Sequence, residues 1–94
     1  GNWITYYKNG YKESEGVYKN DFQTGKWINW HDNGQKESEG KYKKGYTKGI
    51  WISWFENGQM YMKGKVKNDT YSKDCKMWNR DGSKHDKSVD IYFA

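Results

Sequence analysis

The chain has 94 residues, with 17 Lys and Arg against 12 Asp and Glu, a formal net charge of +5. It carries 6 Trp, 9 Tyr and 3 Phe, whereas Val, Ile, Met and Ala together number only 12 and Leu is absent. So few aliphatic side chains exclude a conventional layered core, the wealth of aromatics argues against disorder, and no apolar run approaches the roughly 20 residues of a membrane-spanning helix. The length allows one domain. A single cysteine, Cys75, excludes an internal disulfide and any multi-cysteine zinc site. The lack of Pro, and of helix caps followed by an apolar stripe, argues against helices.

Read from its N-terminus, the chain repeats itself every 24 residues without gaps. Gly1 opens a column continued by Gly25 and Gly49. Trp3 opens one continued by Trp27 and Trp51 and ended by Cys75, and Tyr6 one continued by Trp30, Trp54 and Trp78. Gly10 is repeated by Gly34, Gly58 and Gly82, Gly16 by Gly40 and Gly64, and Tyr18 by Tyr42 and Val66. The copies are 1–24, 25–48, 49–72 and 73–94. The last decays, with Ser88 in place of glycine and Asp90 in place of Tyr, as terminal copies that cap a stack commonly do. Gly1 already belongs to a repeat column and no initiating Met precedes it, so the expectation is a piece of a longer array.

Within the second copy, residues 26–32 are rich in strand formers and lead into Asn33-Gly34, the strongest short signal for a two-residue type I′ hairpin turn. Asn9-Gly10, Asn57-Gly58 and Asp81-Gly82 repeat it. The returning strand is 35–43, and 44–49 forms a loop to the next Trp. Four hairpins of this kind predict an all-β, single-layer, elongated twisted antiparallel sheet, eight strands and roughly 38 Å across at about 4.8 Å per strand. A two-residue turn pairs Trp30 with Glu37, Asn29 with Ser38 and Trp27 with Gly40. It places Trp27, Gly40 and Tyr42 on one face and Ile28 and Trp30, beside Glu37, Glu39 and Lys41, on the other. Gly40 would then leave room for the Trp27 indole to lie across the backbone.

Trp27, Trp30, Asn33, Gly34, Glu39, Gly40, Tyr42, Lys43, Gly45 and Gly49 follow a pattern that resembles the MORN repeat in its bacterial variant. The likeness covers nearly the whole chain and departs in the last copy and at Lys63, where Glu stands before the glycine elsewhere. The resemblance implies a row of β-hairpins forming a grooved sheet used for binding or scaffolding. It implies association with protein partners or membranes, or an antitoxin role in bacterial toxin–antitoxin systems, and it brings no catalytic residues.

Several constellations invite chemistry. Glu13 and Glu15, like Glu37 and Glu39, are spaced two apart, which puts both carboxylates on one strand face at about 7 Å, a separation used in glycoside hydrolysis. A pair that recurs by repetition reads more simply as a solvated face balanced by Lys. His31, His85 and Cys75 suggest thiol or metal chemistry. However, His31 shares a column with Tyr7, Phe55 and Asn79, and Cys75 sits in a Trp column, so drift and relaxed packing are expected and no metal or cofactor. Lysines interleaved with aromatics suggest single-stranded nucleic acid, against which stand a single arginine, Arg80, and lysines spread among acids rather than gathered in a stripe. The same charge suits an anionic membrane surface. The sequon Asn68-Asp69-Thr70 falls at a repeated loop position.

The leading expectation is a non-enzymatic protein-interaction module whose aromatic groove makes the contact, with Trp27, Trp30, Trp51, Trp54 and Tyr42 as candidates. Within that set, Trp27 and Trp51 are expected to hold the sheet together and Trp30 and Trp54 to touch the partner. Gly10, Gly34, Gly58, Gly82, Gly16, Gly40 and Gly64 are structural. The alternative is a wall or membrane ligand module, because Thr24-Gly25-Lys26-Trp27 and Asn57-Gly58-Gln59 look like choline-binding repeats that cage a quaternary ammonium; those repeats are shorter than 24 residues. Open sheet edges and the apolar tail 89–94 suggest self-association. Compartment stays open between a bacterial cytoplasm and a cell surface.

Overall fold

The computed structural model describes residues 1–84. His85, Ser88, Asp90 and the tail 89–94 lie outside the described residues. The strands are β1 (Asn2–Tyr6), β2 (Lys12–Lys19), β3 (Phe22–Trp30), β4 (Lys36–Lys43), β5 (Tyr46–Trp54), β6 (Met60–Lys67), β7 (Thr70–Tyr71) and β8 (Lys76–Met77). They form one antiparallel sheet in which β1 to β7 follow chain order and β8 also pairs with β6. Extents of 41 × 31 × 15 Å describe a single layer.

The turns differ from the expected ones at both ends of the strands. At Asn33-Gly34 the Gly34 N–H donates to the His31 carbonyl at 3.1 Å and the His31 N–H to the Gln35 carbonyl at 2.8 Å. The loop is therefore three residues, Asp32-Asn33-Gly34, and only its glycine has positive φ, +90°. This is a type I turn closed by a left-handed glycine, not a type I′ turn. The two-residue turns lie at the other end, at Asn20-Asp21, Lys44-Gly45 and Asn68-Asp69, where both residues of each pair have positive φ. Segment 44–49 is accordingly no loop. It turns at Lys44-Gly45 and enters β5 at once, so the expected separate hairpins are one continuous meander.

The expected register holds for Trp27 with Gly40 and Asn29 with Ser38, then slips, because Trp30 pairs with Lys36 rather than Glu37. The extra residue on β4 is a β-bulge. It recurs as Tyr6 with Lys12 and Trp54 with Met60. A second irregularity sets Gly16 against three residues, 25–27, and Gly40 against 49–51. Gly25 and Gly49 take positive φ there, +67° and +76°. In the fourth copy that position is Lys73, which has no positive φ, and the strand equivalent to β3 and β5 breaks into β7 and β8 around it. A side chain disfavours the left-handed backbone that the bulge uses.

The core is a row of rings on one face. Trp3, Tyr18, Trp27, Tyr42 and Trp51 succeed one another edge to face, with centroids 5.3, 5.2, 6.2 and 5.2 Å apart. Such pairs contribute about 0.5–1.5 kcal/mol each beyond area burial. A Cβ on Gly16 would overlap the Trp27 indole, and one on Gly40 the Trp51 indole. The ring over Gly40 is thus Trp51 and not the expected Trp27, which leans the other way onto Gly16. Each buried indole N–H reaches the carbonyl just past its glycine, Trp27 to Val17 and Trp51 to Lys41, both at 3.1 Å. The row ends where Cys75 takes the Trp position over Gly64, with Met62 and Val66 buried nearby. Among the described residues Cys75 is the most enclosed side chain, 1% exposed and set close against Gly64.

Candidate functional site

Strand alternation gives the sheet two unlike faces. The ladder face holds the ring row, with Thr5 and Ser14 hydroxyls bonded at 2.7 Å and Asn29 donating to Ser38 at 3.1 Å. The opposite face holds Ile4, Ile28 and Ile52 together with Glu15, Glu39 and Trp30 and Trp54. Of the five aromatic candidates, Trp27 and Trp51 are buried at 3% and 6% exposure, and Tyr42 stands between them in the row. Burial pushes the Tyr42 phenol up, with the Asp69 charge acting in the same direction. These three have their ring surfaces committed to the sheet.

Trp30 and Trp54 are placed differently. Each is half-buried, and a lysine ammonium stands over its ring: Lys12 over Trp30 at 5.6 Å and Lys36 over Trp54 at 6.0 Å. Lys12 is held by Glu15 at 2.6 Å and Lys36 by Glu39 at 3.2 Å, so a carboxylate, a lysine and an indole form a unit repeated on successive hairpins. Glu39 also meets Lys26 at 3.3 Å. Burial alone would raise the Glu39 carboxyl, but the hydrogen bonds and charges of Lys36 and Lys26 outweigh it and hold it below the usual carboxylate range. A quaternary ammonium seeking these rings would have to displace a lysine that already occupies the cation site.

The bulge separates the paired glutamates. Glu37 lies 3.9 Å from the His31 Nδ1, while Glu39 is tied to Lys26 and Lys36. His31 is not drift. Its Nε2 meets the Trp54 carbonyl at 2.8 Å, in the place where the Tyr7 hydroxyl donates to the Trp30 carbonyl at 2.6 Å. Because a carbonyl only accepts, Nε2 carries the proton. Burial, then the nearby Glu37, Glu13 and Asp32 charges, push the Tyr7 phenol up and keep it a donor. Among the described residues no three His, Cys, Asp or Glu side chains gather as a metal site.

The glycines of the Asn-Gly turns serve an interlocking row that sequence reasoning missed. The Asn9, Asn33 and Asn57 amides donate to the carbonyls of Asp32, Glu56 and Arg80 in the next turn, at 2.6, 2.7 and 3.1 Å. Their Oδ1 atoms accept the backbone N–H two residues on, at 3.0, 2.9 and 2.8 Å. Arg80 pairs with Glu56 at the same edge. The recurrence of Asn at a fixed step was the available signal.

The lysines, expected to be spread among acids, are gathered by the strand register. Lys26 pairs with Lys41, Lys41 with Lys48, and Lys48 with Lys67, a row across β3 to β6 on the face opposite the ladder. No family model matches the chain, and neither a curated protein nor a solved structure matches it.

Proposed function

We propose that the chain is an array of MORN-type hairpins that works as a non-enzymatic platform for a protein partner, with Trp30 and Trp54 as its contact column. One observation carries this reading. Two Trp columns recur at the same step, yet only one is consumed by the sheet: Trp27 and Trp51 lie over glycines, whereas Trp30 and Trp54 stay half-buried beside charged side chains. Partly accessible indoles flanked by polar groups suit the anchor positions of interfaces. The 24-residue step and the Asn-Gly, Glu-Gly and Trp-x-x-Trp residues support membership of that repeat class.

Retention of binding partners on immobilised wild-type and Trp54→Ala chains tests the reading. A specific partner retained by wild type should be lost from Trp54→Ala at a temperature where both chains are folded. Undiminished retention by Trp54→Ala would contradict the assignment.

A further inference from the structure

The lysine row is an arrangement that a sheet does not adopt for its own stability. Directly opposed like charges destabilise a strand pair, and here the opposition recurs at Lys26/Lys41, Lys41/Lys48 and Lys48/Lys67. At about 4.8 Å per strand the row runs roughly 14 Å across the sheet. Lys26 has Glu39 as a counter-ion. Among the described residues Lys41, Lys43, Lys48, Lys65 and Lys67 have no ion-pair partner within salt-bridge distance.

Aromatic rings stand beside this charge. Lys19 pairs with Phe22 and Lys43 with Tyr46, at equivalent positions of successive copies. Phe22 and Tyr46 are 53% and 55% exposed. The Phe22 ring rests against Gly45, where a Cβ would come within 3.0 Å of it. Gly45 thus lies against one side of the ring. Two adjoining recesses share Lys43: one of about 600 Å³ lined by Tyr46, Lys48, Lys65 and Lys67, and one of about 390 Å³ lined by Lys19 and Phe22.

We propose that this face binds single-stranded nucleic acid, with phosphates along Lys41, Lys48 and Lys67 and bases seated against Phe22 and Tyr46. A polyanion supplies the missing counter-charge, and a flat base uses an exposed ring beside each lysine, the pairing on which sequence-tolerant single-strand binding rests. An acidic polypeptide matches the charge but leaves the rings without a counterpart. A bilayer surface also matches the charge, but it is broad and flat, whereas Phe22 and Tyr46 border separate recesses of about 390 and 600 Å³ between lysines. The site is at the two-residue-turn end of the sheet, away from Trp30 and Trp54, and stands independently of the protein partner.

Fluorescence anisotropy of a labelled thymidine homopolymer of about 20 nucleotides, titrated with the chain between about 50 and about 200 mM NaCl, tests it. Binding should weaken steeply with salt. The triple variant Lys41→Gln, Lys48→Gln, Lys67→Gln should lower the slope of log K against log salt by about 2, at about 0.7 per lysine, with a melting temperature no lower than wild type because the repulsion is gone. Tyr46→Ser should weaken binding about tenfold with the salt slope unchanged, and Phe22→Ser makes the same comparison if Tyr46→Ser melts early. Any of four results would overturn the proposal: no binding at about 50 mM NaCl, where such contacts are strongest; wild-type affinity in both ring variants; equal competition by polyglutamate; or binding to phosphatidylserine vesicles without binding to the oligonucleotide.

Discussion

Gly40 faces Trp27 across one strand boundary and lies beneath Trp51 from the other. A side chain there meets the indole, and overpacking of this kind costs about 1–3 kcal/mol. Gly40→Val should therefore lower the unfolding free energy from urea denaturation by that order, and a value equal to wild type would show that the ring does not rest on Gly40. Glu39 supplies a second residue-level test. Its folded-state carboxyl is held below its ordinary value of 4.5, so its contribution is present above that pH and lost as pH falls through the lower folded value. Stability of the wild type should fall as the medium is acidified below pH 4.5, and Glu39→Gln should flatten that part of the profile. An unchanged profile in Glu39→Gln would remove the Lys26 and Lys36 contacts from the account.

Each hairpin is joined to the next through its turn as well as its ladder. Asn33 accepts from Gln35 within its own turn and donates to Glu56 in the following one. Asn33→Asp keeps the acceptor and loses the donor, so a loss of about 1 kcal/mol is expected in chemical denaturation; no loss would mean the inter-turn bond is idle. In the fourth copy Asp81 accepts from Ser83, and no following described turn requires it to donate. The 24-residue step made most of the strands, the pairing of Trp27 with Gly40 and the two faces legible from sequence, while 46–49 of β5 read as loop. The turn types were not, because Asn-Gly statistics describe an isolated hairpin, whereas here the Asn amide is bound by its neighbour. The glycine beneath each Trp was also misassigned, since pairing within one hairpin says nothing of the side to which a ring leans. The lysine row was hidden for a related reason: Lys26, Lys41, Lys48 and Lys67 are distant in sequence and align only when the registers of three strand pairs are combined.

Across the sheet, a layer 15 Å thick buries, among the described residues, only what the ring row and the Cys75, Met62 and Val66 cluster cover. Each hairpin gains stability from its neighbours, as in other one-dimensional arrays. The edge shows the consequence. Trp3 has no preceding described strand to cover and is 48% exposed, although the same column is buried at Trp27 and Trp51. One face is therefore committed to cohesion, and the other carries half-buried indoles at the Asn-Gly end and unpaired lysines at the opposite end. The two Trp columns divide the labour of cohesion and contact, and equilibrium urea unfolding of Trp51→Ala beside Trp54→Ala measures that division. A loss of about 3–5 kcal/mol is expected for the buried Trp51 and a clearly smaller loss for the half-buried Trp54. Equal losses would contradict it.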